Sequence, residues 1–287
     1  MASAQETISV RGLSLTYRSG LFRRKEVHAL EAVDLAAQRG EILGVAGPNG
    51  SGKSSLLRCL LGLERSRAER IRVLGQRPGA RPALRQIGYL AEGRLPFPRL
   101  SAREFLTLCG TLTRWRVGKA RARATELLDL VGLSQDADRP LGEFSTGMDR
   151  KLAFAQAIYH EPTQLILDEP SAGMDPLGVE IVTRELDAHR RGGGSTLIAT
   201  HSLEDFSGIM DRILVLLAGR RVALGTPDEV LGLADQHELK LGGLERGDFE
   251  ELITEARDRG AQILHQGNAR ESLGRYLARI QREGDGT

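Results

Sequence analysis

A cluster of small and polar residues follows a short apolar run near the start of the chain. Residues 47–54 are GPNGSGKS and come directly after the run 42–46, ILGVA. Their spacing fits the pattern G-x-x-x-x-G-K-[ST], which ends here on Lys53 and Ser54. A loop without bulky side chains can point several backbone N–H groups at one anion, and a following helix adds its free N-terminal donors. Since Lys53 adds a positive charge, the stretch predicts a site for the phosphates of a nucleotide.

An apolar strand pattern before this loop and a helical pattern after it make the motif specific. Ser54 offers a hydroxyl group to Mg²⁺, a hard ion that prefers oxygen ligands. We therefore predict that ATP and Mg²⁺ bind at this loop. The residues of the loop that are predicted to bind the nucleotide are Gly47, Asn49, Gly50, Ser51, Gly52, Lys53, Ser54 and Ser55.

Two adjacent carboxylates end a buried strand pattern later in the chain. The run 164–167, QLIL, is followed by Asp168 and Glu169. Hydrolysis of a bound nucleotide needs a group that holds the metal ion and a group that activates water. Asp168 is predicted to hold Mg²⁺, and Glu169 is predicted to act as the general base. The alternative is that two acids end a strand through solvation alone, and the phosphate loop upstream makes the catalytic interpretation the favoured one.

A histidine ends the next predicted strand along the chain. The run 196–200, TLIAT, is followed by His201. A single histidine is more often a core or surface residue than a catalytic one. Its position one strand beyond Asp168 and Glu169 favours a place near the γ-phosphate, where it would donate a hydrogen bond to the phosphate or orient the water.

Short apolar runs alternate with helical patterns between residues 6 and 232, which predicts α/β architecture. Strands are predicted at 41–46, 86–90, 163–167, 195–199 and 212–217. Helices are predicted at 54–63, within 101–133, and near 148–159 and 178–189. The stretch 8–17 alternates apolar and polar residues in the manner of an edge strand. From about residue 235 the pattern becomes β-α-β-α, which predicts a small additional module over 235–283.

The charge balance and the cysteines argue against several classes of function. The chain has 40 lysines and arginines against 38 aspartates and glutamates, a formal net charge of +2, so no nucleic-acid partner is expected. Its two cysteines, Cys59 and Cys109, lack metal-ligand spacing and indicate no disulfide framework. No apolar run approaches the roughly 20 residues of a membrane helix, so the chain is expected to be soluble by itself.

A further motif lies upstream of Asp168 at residues 144–148, FSTGM. Together with the phosphate loop and the two acids, it makes the chain resemble an ATP-binding cassette (ABC) ATPase over about residues 6–232. The motif is similar to the family's signature loop, L-S-G-G-Q, and differs from it at three positions while keeping Ser145 and Gly147. Because a helical pattern follows, the Ser145 hydroxyl, nearby N–H groups and the helix dipole would form a second anion site.

The resemblance implies a P-loop NTPase (RecA-like) core with an antiparallel β subdomain and an inserted α-helical subdomain at about 93–160. It also implies a second ABC ATPase subunit, expected to be an identical copy. Two ATP molecules would lie between the cassettes, each held by the phosphate loop of one and the signature loop of the other. The residues implied to bind nucleotide at this interface are Ser145, Thr146, Gly147 and Met148, with Asp175 in the D-loop, 171–175.

Two further residues take their roles from the resemblance. Tyr17 matches the aromatic residue that stacks on adenine, with packing inside the strand as the alternative. Where the family has a glutamine that contacts Mg²⁺ and water, this chain has Glu92. A carboxylate can still bind the metal, but its charge near the γ-phosphate could slow hydrolysis. The predicted metal ligands are Ser54, Glu92 and Asp168.

The resemblance implies an ATP-binding and ATP-hydrolysing subunit that energises export through separate integral membrane permease subunits. Such a subunit is cytoplasmic and peripheral on the inner face of the cell membrane. Glu92 and the S-T-G-M loop favour the ABC-2 type exporter branch. The loop 93–100, with Leu95 and Phe97, is predicted to receive a short permease helix, and a plain rigid loop is the alternative. The alternative function is a soluble ABC ATPase, for example of the iron–sulfur assembly type, that is not coupled to transport.

Overall fold

The computed structural model describes residues 6–19, 25–231, 250 and 252–255. The chain divides into two compact units, residues 1–231 and 232–287. The described residues of the second unit are helical and fall inside the predicted β-α-β-α module. The rest of the module predicted at 235–283 lies outside the described residues.

The described part of the first unit contains strands and helices in alternation. The strands are β1 Glu6–Ser19, β2 Lys25–Gln38, β3 Ile42–Ala46, β4 Arg70–Val73, β5 Ile87–Leu90, β6 Gln164–Asp168, β7 Ser195–Thr200, β8 Arg212–Leu217 and β9 Arg220–Gly225. The helices are α1 Lys53–Leu61, α2 Arg81–Leu84, α3 Ala102–Leu112, α4 Val117–Leu130, α5 Thr146–Ile158, α6 Pro176–Arg191 and α7 Pro227–Leu231.

The larger of two sheets has six strands in the order β5-β6-β7-β3-β8-β9. The first five of these strands run parallel, and β9 pairs antiparallel with β8 at one edge. Every residue of β3, β6 and β7 is buried, as expected for central strands of a sheet that is covered on both faces. The strands predicted at 41–46, 86–90, 163–167, 195–199 and 212–217 all fall in this sheet.

Alternate residues of the central strands pack into two different hydrophobic cores. In β3, Leu43 and Val45 belong to the core that contains residues of α1, β1 and β2. Ile42 and Ala46 belong to the core that contains residues of α3, α4, α5 and α6. The ends of these strands are therefore held in place from both sides of the sheet.

The smaller sheet has three antiparallel strands in the order β2-β1-β4. The strand predicted at 8–17 is confirmed as part of β1, but its predicted place at an edge is wrong, because β1 pairs with β2 along one side and, through residues 8–11, with β4 along the other. Alternation shows that one face of a strand is packed, but it does not show whether the edges are paired. The sequence patterns also miss β2 and β4, which carry several charged side chains, and the short edge strand β9.

The helical pattern predicted within 101–133 corresponds to two helices, α3 and α4. They are separated at 113–116, where Arg114 has a positive φ of 67°. A capping box starts α3, since Ser101 accepts a hydrogen bond from the backbone N–H of Glu104 and the Glu104 side chain accepts one from the N–H of Ser101.

Candidate active site

The loops that carry the predicted catalytic and metal-binding residues leave the same edge of the larger sheet. The phosphate loop, 47–52, follows β3, and β6 ends at Asp168 and leads into Glu169. His201 follows β7, and Glu92 lies just after β5. The carboxyl ends of neighbouring parallel strands meet at one edge, so the topology brings these residues together.

Three glycines of the phosphate loop, Gly47, Gly50 and Gly52, have a positive φ, and two of them also lie close to neighbouring backbone atoms. Gly47 has φ of 152° and Gly52 has φ of 106°. A Cβ atom at Gly47 would lie 2.2 Å from the carbonyl oxygen of Leu216, and one at Gly52 would lie 2.5 Å from that of Ala29. Both clashes would be with backbone atoms, so neither position accepts a side chain. Because Gly52 is its N-cap residue, α1 begins without a side-chain cap and presents its first N–H groups to a bound anion.

Lys53 is a buried lysine that reaches back over the loop. The residue is 6% exposed, and its Nζ atom donates hydrogen bonds to the carbonyl oxygens of Gly47 at 2.8 Å and Pro48 at 3.3 Å. Its Nζ atom also lies 3.9 Å from Oε1 of Glu169. The ammonium group thus lies between the phosphate loop and the carboxylate after β6.

Asp168 is a buried carboxylate with an unused oxygen atom. The residue is 1% exposed, and Oδ1 has no hydrogen-bond partner among the described residues. Burial raises the pKa of Asp168, a hydrogen bond with Ser54 lowers it, and the charges of Glu92 and Glu169 raise it further. A free carboxylate oxygen beside a hydroxyl group suits a hard divalent cation. The donor set of Asp168 and Ser54 therefore fits Mg²⁺.

Glu92, the third predicted metal ligand, lies on an exposed part of the loop after β5. Its charge contributes to the raised pKa of Asp168. Within the described ranges, no three histidine, cysteine or acidic side chains are placed to hold a metal ion among themselves. Mg²⁺ at this site would take most of its ligands from phosphate and water, as Mg²⁺ commonly does.

Glu169 contacts both a cation and an imidazole ring. Nδ1 of His201 lies 2.8 Å from Oε2 of Glu169, while Oε1 faces Lys53. The side chain of Glu169 is 13% exposed, and that of His201 is 58% exposed. A carboxylate in this position, at the border between the protein and solvent, can accept a proton from a water molecule.

The backbone of Glu169 adopts an unusual conformation. Its φ is 50°, which few residues other than glycine adopt and which is disfavoured before a proline such as Pro170. Its N–H donates to the carbonyl oxygen of Ala199 in β7 at 2.8 Å, and its carbonyl oxygen accepts from Nη2 of Arg150 at 2.6 Å. Such a conformation persists where the surroundings hold it on both sides, and these two hydrogen bonds do so here.

Tyr17 lies against α1. Its hydroxyl oxygen is 3.3 Å from Oγ of Ser55, and the hydroxyl donates to Oε1 of Glu64 at 3.3 Å. The hydroxyl also accepts a hydrogen bond from Nη2 of Arg58 at 3.4 Å, which is the main reason that the pKa of Arg58 is raised. The first strand therefore places Tyr17 beside the helix that follows the phosphate loop.

The signature loop forms the start of α5. Oγ of Ser145 accepts a hydrogen bond from the N–H of Met148 at 3.2 Å and so caps the helix. Ser145 and Thr146 are exposed. A Cβ atom at Gly147 would lie 2.6 Å from the carbonyl oxygen of Gly173, so the signature loop packs closely against the D-loop.

Asp175, the predicted nucleotide-binding residue of the D-loop, caps α6. Its Oδ1 accepts a hydrogen bond from the N–H of Gly178 at 2.6 Å and lies 3.1 Å from Nζ of Lys151. Among the described residues, no hydrogen bond or ion pair joins Ser145 or Asp175 to Lys53 or Glu169. The structure therefore contains two separate groups of predicted site residues.

Arg150 is a residue of the site that sequence patterns do not predict. It lies on α5, is 3% exposed, and donates hydrogen bonds to the carbonyl oxygens of Ala91, Gly93, Asp168 and Glu169. Burial lowers the pKa of Arg150, and the neighbouring carboxylates oppose that shift. Backbone acceptors leave no pattern in a sequence, so the only signal for Arg150 is its place just after FSTGM.

Comparison with known proteins assigns the family. The family model described as ABC transporter matches residues 30–172. An ABC transporter ATP-binding protein of Synechocystis sp., itself uncharacterized, is 33% identical over 95% of this chain and 71% of its own length. The daunorubicin resistance ATP-binding protein DrrA3 of Streptomyces coeruleorubidus is 40% identical over 70% of this chain and 65% of its own.

A solved structure supports the same fold. A dimeric ATP-binding cassette in a post-hydrolysis state, bound to ADP and Pi, superimposes with a TM-score of 0.66 at 21% identity, over 76% of this chain and 98% of its own. The chain belongs to the ATP-binding subunits of ABC transporters, and the predicted P-loop NTPase fold is confirmed. Members of this family bind and hydrolyse ATP. In the part of the chain that the structure describes, no helix is long and apolar enough to cross a membrane.

Proposed function

We propose that this chain hydrolyses ATP to energise export through separate membrane permease subunits. The position of Glu169 carries this proposal, since its carboxylate lies between Lys53 of the phosphate loop and the imidazole of His201. The name of DrrA3, a resistance protein, supports an exporter.

Glu169 is the general base that takes a proton from the attacking water. His201 keeps the Glu169 carboxylate in place through the contact at Nδ1, and its exposed ring can reach a terminal phosphate. Lys53 balances the charge of the phosphates once it leaves the loop carbonyls that it now contacts. Each of these roles uses a contact or an exposure that one copy of the chain already provides.

Ser54, Asp168 and Glu92 would hold Mg²⁺. The free Oδ1 atom of Asp168 and its neighbouring hydroxyl support this assignment. When bound, the cation neutralises part of the charge on the phosphates. The protein's own contribution is to keep one carboxylate oxygen buried and without a hydrogen-bond partner until the cation arrives.

The remaining nucleotide contacts come from Tyr17 and from a second copy of the chain. Tyr17 stacks on adenine, a role that suits its place beside α1. The exposed start of α5, Ser145 to Met148, offers N–H groups and a helix dipole to the nucleotide of the partner cassette. Asp175 lies next to this surface through the packing of Gly147 on Gly173.

The permease binds at the loop 93–100, and the cassette is thereby held at the inner face of the cell membrane. Phe97 is 52% exposed on this loop, which suits contact with an apolar partner helix. The nucleotide-binding domain comprises residues 6–232, with a helical subdomain at about 93–160.

The replacement Glu169→Gln tests the catalytic assignment. Turnover should fall by about 10²- to 10⁴-fold, the usual contribution of a general base, while ATP affinity stays within a few-fold. The variant should accumulate as an ATP-bound dimer, measured by light scattering with Mg·ATP. Glu126→Gln, at an exposed glutamate of α4, is the control and should keep full turnover. Turnover of Glu169→Gln within a few-fold of the parent would remove Glu169 from the role of base.

Affinity capture from membranes tests the coupling to transport. The tagged chain should bring down an integral membrane protein, and Phe97→Asp should weaken that capture while ATP hydrolysis continues. Leu112→Asp, at an apolar residue that is 74% exposed outside the loop, is the control and should retain the partner. Recovery of cytosolic partners alone would favour the ATPase that is not coupled to transport.

A further inference from the structure

Arg150, which lies on α5, contacts two other segments of the site, the loop after β5 and the end of β6. Its Nη1 atom donates to the carbonyl oxygens of Ala91 at 2.7 Å and Gly93 at 3.3 Å, which flank Glu92. Its Nη2 atom donates to the carbonyl oxygens of Asp168 and Glu169. The planar guanidinium group can contact both segments at once, which an ammonium group on a flexible chain does less well.

The hydrogen bond to Glu169 acts on the strained residue of the site. Glu169 has φ of 50°, and its carbonyl oxygen is 2.6 Å from Nη2 of Arg150. Two backbone groups also contact this residue: its N–H donates to the carbonyl oxygen of Ala199 in β7, and its carbonyl oxygen accepts from the N–H of Ala172 at 3.2 Å. Arg150 is therefore the side chain that can release or hold the backbone of Glu169, and with it the direction of the carboxylate.

Arg150 also lies on the helix that begins with the signature loop. Ser145 caps α5, and Arg150 follows within the second turn of the same helix. A helix moves as a unit over so short a distance, so a shift of its first turn changes the position of the guanidinium group. The next residue back, Asp149, accepts a hydrogen bond from the N–H of Leu95 at 3.1 Å, which ties the loop after Glu92 to the same helix.

We propose that Arg150 is a positioning residue that sets the backbone of Glu169 according to the position of the Glu92 loop and of α5. The inference rests on the proposed function of Glu169 as the general base. Because α5 carries the surface that is offered to the partner's nucleotide, closure of the dimer is transmitted to the catalytic carboxylate through this one guanidinium group.

The positive charge of Arg150 also opposes the negative charge that Glu92 adds where the family typically has a neutral glutamine. Arg150 is a buried cation with the carboxylates of Asp168, Asp149, Glu169 and Glu92 around it. Removing the cation leaves Glu92 and the two carboxylates after β6 to repel one another. The effect of losing Arg150 should therefore be smaller when Glu92 is replaced by the neutral glutamine that is typical of the family.

The first test separates positioning from simple loss of the fold. In Arg150→Gln, kcat should fall by about 10- to 100-fold, because a displacement near 1 Å at a reacting group has that effect. KM and the affinity for ATP should stay within about threefold, since the phosphate loop is unchanged. Arg150→Lys should recover part of kcat, and melting curves report whether each variant is folded. If Arg150→Gln does not fold, Arg150→Lys alone tests the inference. We then expect its kcat to be several-fold lower than that of the parent, with KM unchanged.

The second test is a pair of double-variant cycles. In a Glu169→Gln background, Arg150→Gln should change single-turnover hydrolysis by less than about threefold, because the base that it positions is already absent. In a Glu92→Gln background, the loss of kcat caused by Arg150→Gln should be smaller than in the parent. Arg220→Gln, at an arginine whose side chain is 66% exposed and pairs with Glu31 outside the site, is the control and should keep kcat within about threefold.

Three outcomes would overturn the inference while leaving the function intact. They are a full kcat for Arg150→Gln or for Arg150→Lys, a rise of KM with kcat unchanged, and equal losses with and without Glu169. If Glu169→Gln itself retained turnover, the proposed role of the base would fail instead. The two failures are therefore distinguishable in one set of assays.

Discussion

The two groups of predicted nucleotide contacts differ in how far one copy of the chain completes them. In the phosphate-loop group, Lys53, Glu169 and His201 contact one another across three loops of the sheet edge. In the signature group, Ser145 and Asp175 each cap the helix that they begin. The first group is a connected set of charges, whereas the second consists of two helix starts, each capped by its own side chain.

The two groups differ in the source of the anion that each is expected to bind. The phosphate-loop group has a cation, the proposed base and a carboxylate oxygen without a hydrogen-bond partner among the described residues, so the proposed function adds only the nucleotide and Mg²⁺. The signature group has the remaining first N–H groups and the dipole of α5, and its one carboxylate, Asp175, caps α6 and pairs with Lys151. Such a surface supports binding of an anion that is brought by another molecule, which suits the proposed pairing of cassettes.

The largest expected difference in ATP affinity is between two lysine variants. Lys53 belongs to the phosphate-loop group, and Lys151 contacts Asp175 of the signature group. Lys53→Ala should weaken ATP binding to the isolated chain by on the order of 10- to 100-fold, the effect of losing a hydrogen bond to a charged group. Lys151→Ala, which removes the ion pair to Asp175, should leave that affinity within about threefold. Titration of a fluorescent ATP analogue measures both. Equal losses would show that the two groups act as one site in the monomer.

Two serine N-caps, one in the signature group and one outside it, give a smaller expected difference in turnover. Ser145→Ala and Ser101→Ala each remove a cap and should each lower stability by about 1 kcal/mol. Turnover at high protein concentration should fall about 10-fold or more for Ser145→Ala alone, because in the proposed pairing of cassettes that hydroxyl contacts the partner's nucleotide. Thermal melting and ATPase assays provide the readouts. A similar loss of turnover in both variants would reduce Ser145 to a structural cap.

The phosphate-loop group is also the part that the sequence predicts best. GPNGSGKS, Asp168 with Glu169, and His201 each stand directly after an apolar run, and the carboxyl ends of parallel strands lie together in the fold. Local sequence order is therefore enough to place them at one sheet edge. The direction in which each side chain points, such as the contact between Glu169 and His201, depends on packing that local patterns do not encode.

Other features escape prediction because their cause is not local. The pairing of β1 on both edges depends on β4, which is far away along the chain and rich in arginine. Arg150 acts on backbone carbonyl groups, which every residue possesses, so no residue type marks its partners. Ser145 and Asp175 were predicted as nucleotide contacts from a resemblance, and their capping roles in one copy follow only from the geometry of α5 and α6.

The smallest expected effect is a pH dependence of stability. It should have opposite signs for Asp168, whose pKa is raised, and for Asp138, whose pKa is lowered. Burial is the main cause of the raised pKa of Asp168, so the folded state binds this proton more tightly than the unfolded chain does. Stability from this group is present below the ordinary carboxyl pKa and is lost as pH rises through the raised value. Without nucleotide, Asp168→Asn should therefore melt higher than the parent near pH 8, and the difference should shrink as pH falls.

Asp138 supplies the matched control with the opposite sign. Its hydrogen bond with Arg103 lowers the pKa of Asp138, so its contribution is present above the ordinary carboxyl pKa and is lost as pH falls through the lowered value. Asp138→Asn should melt slightly lower than the parent near neutral pH.

Added Mg·ATP should stabilise the parent more than Asp168→Asn, because only the parent keeps the carboxylate for the cation. A parent that is more stable than Asp168→Asn at every pH without nucleotide would mean that the buried carboxylate is already compensated within the protein. The phosphate-loop group would then need no cation to balance its charge.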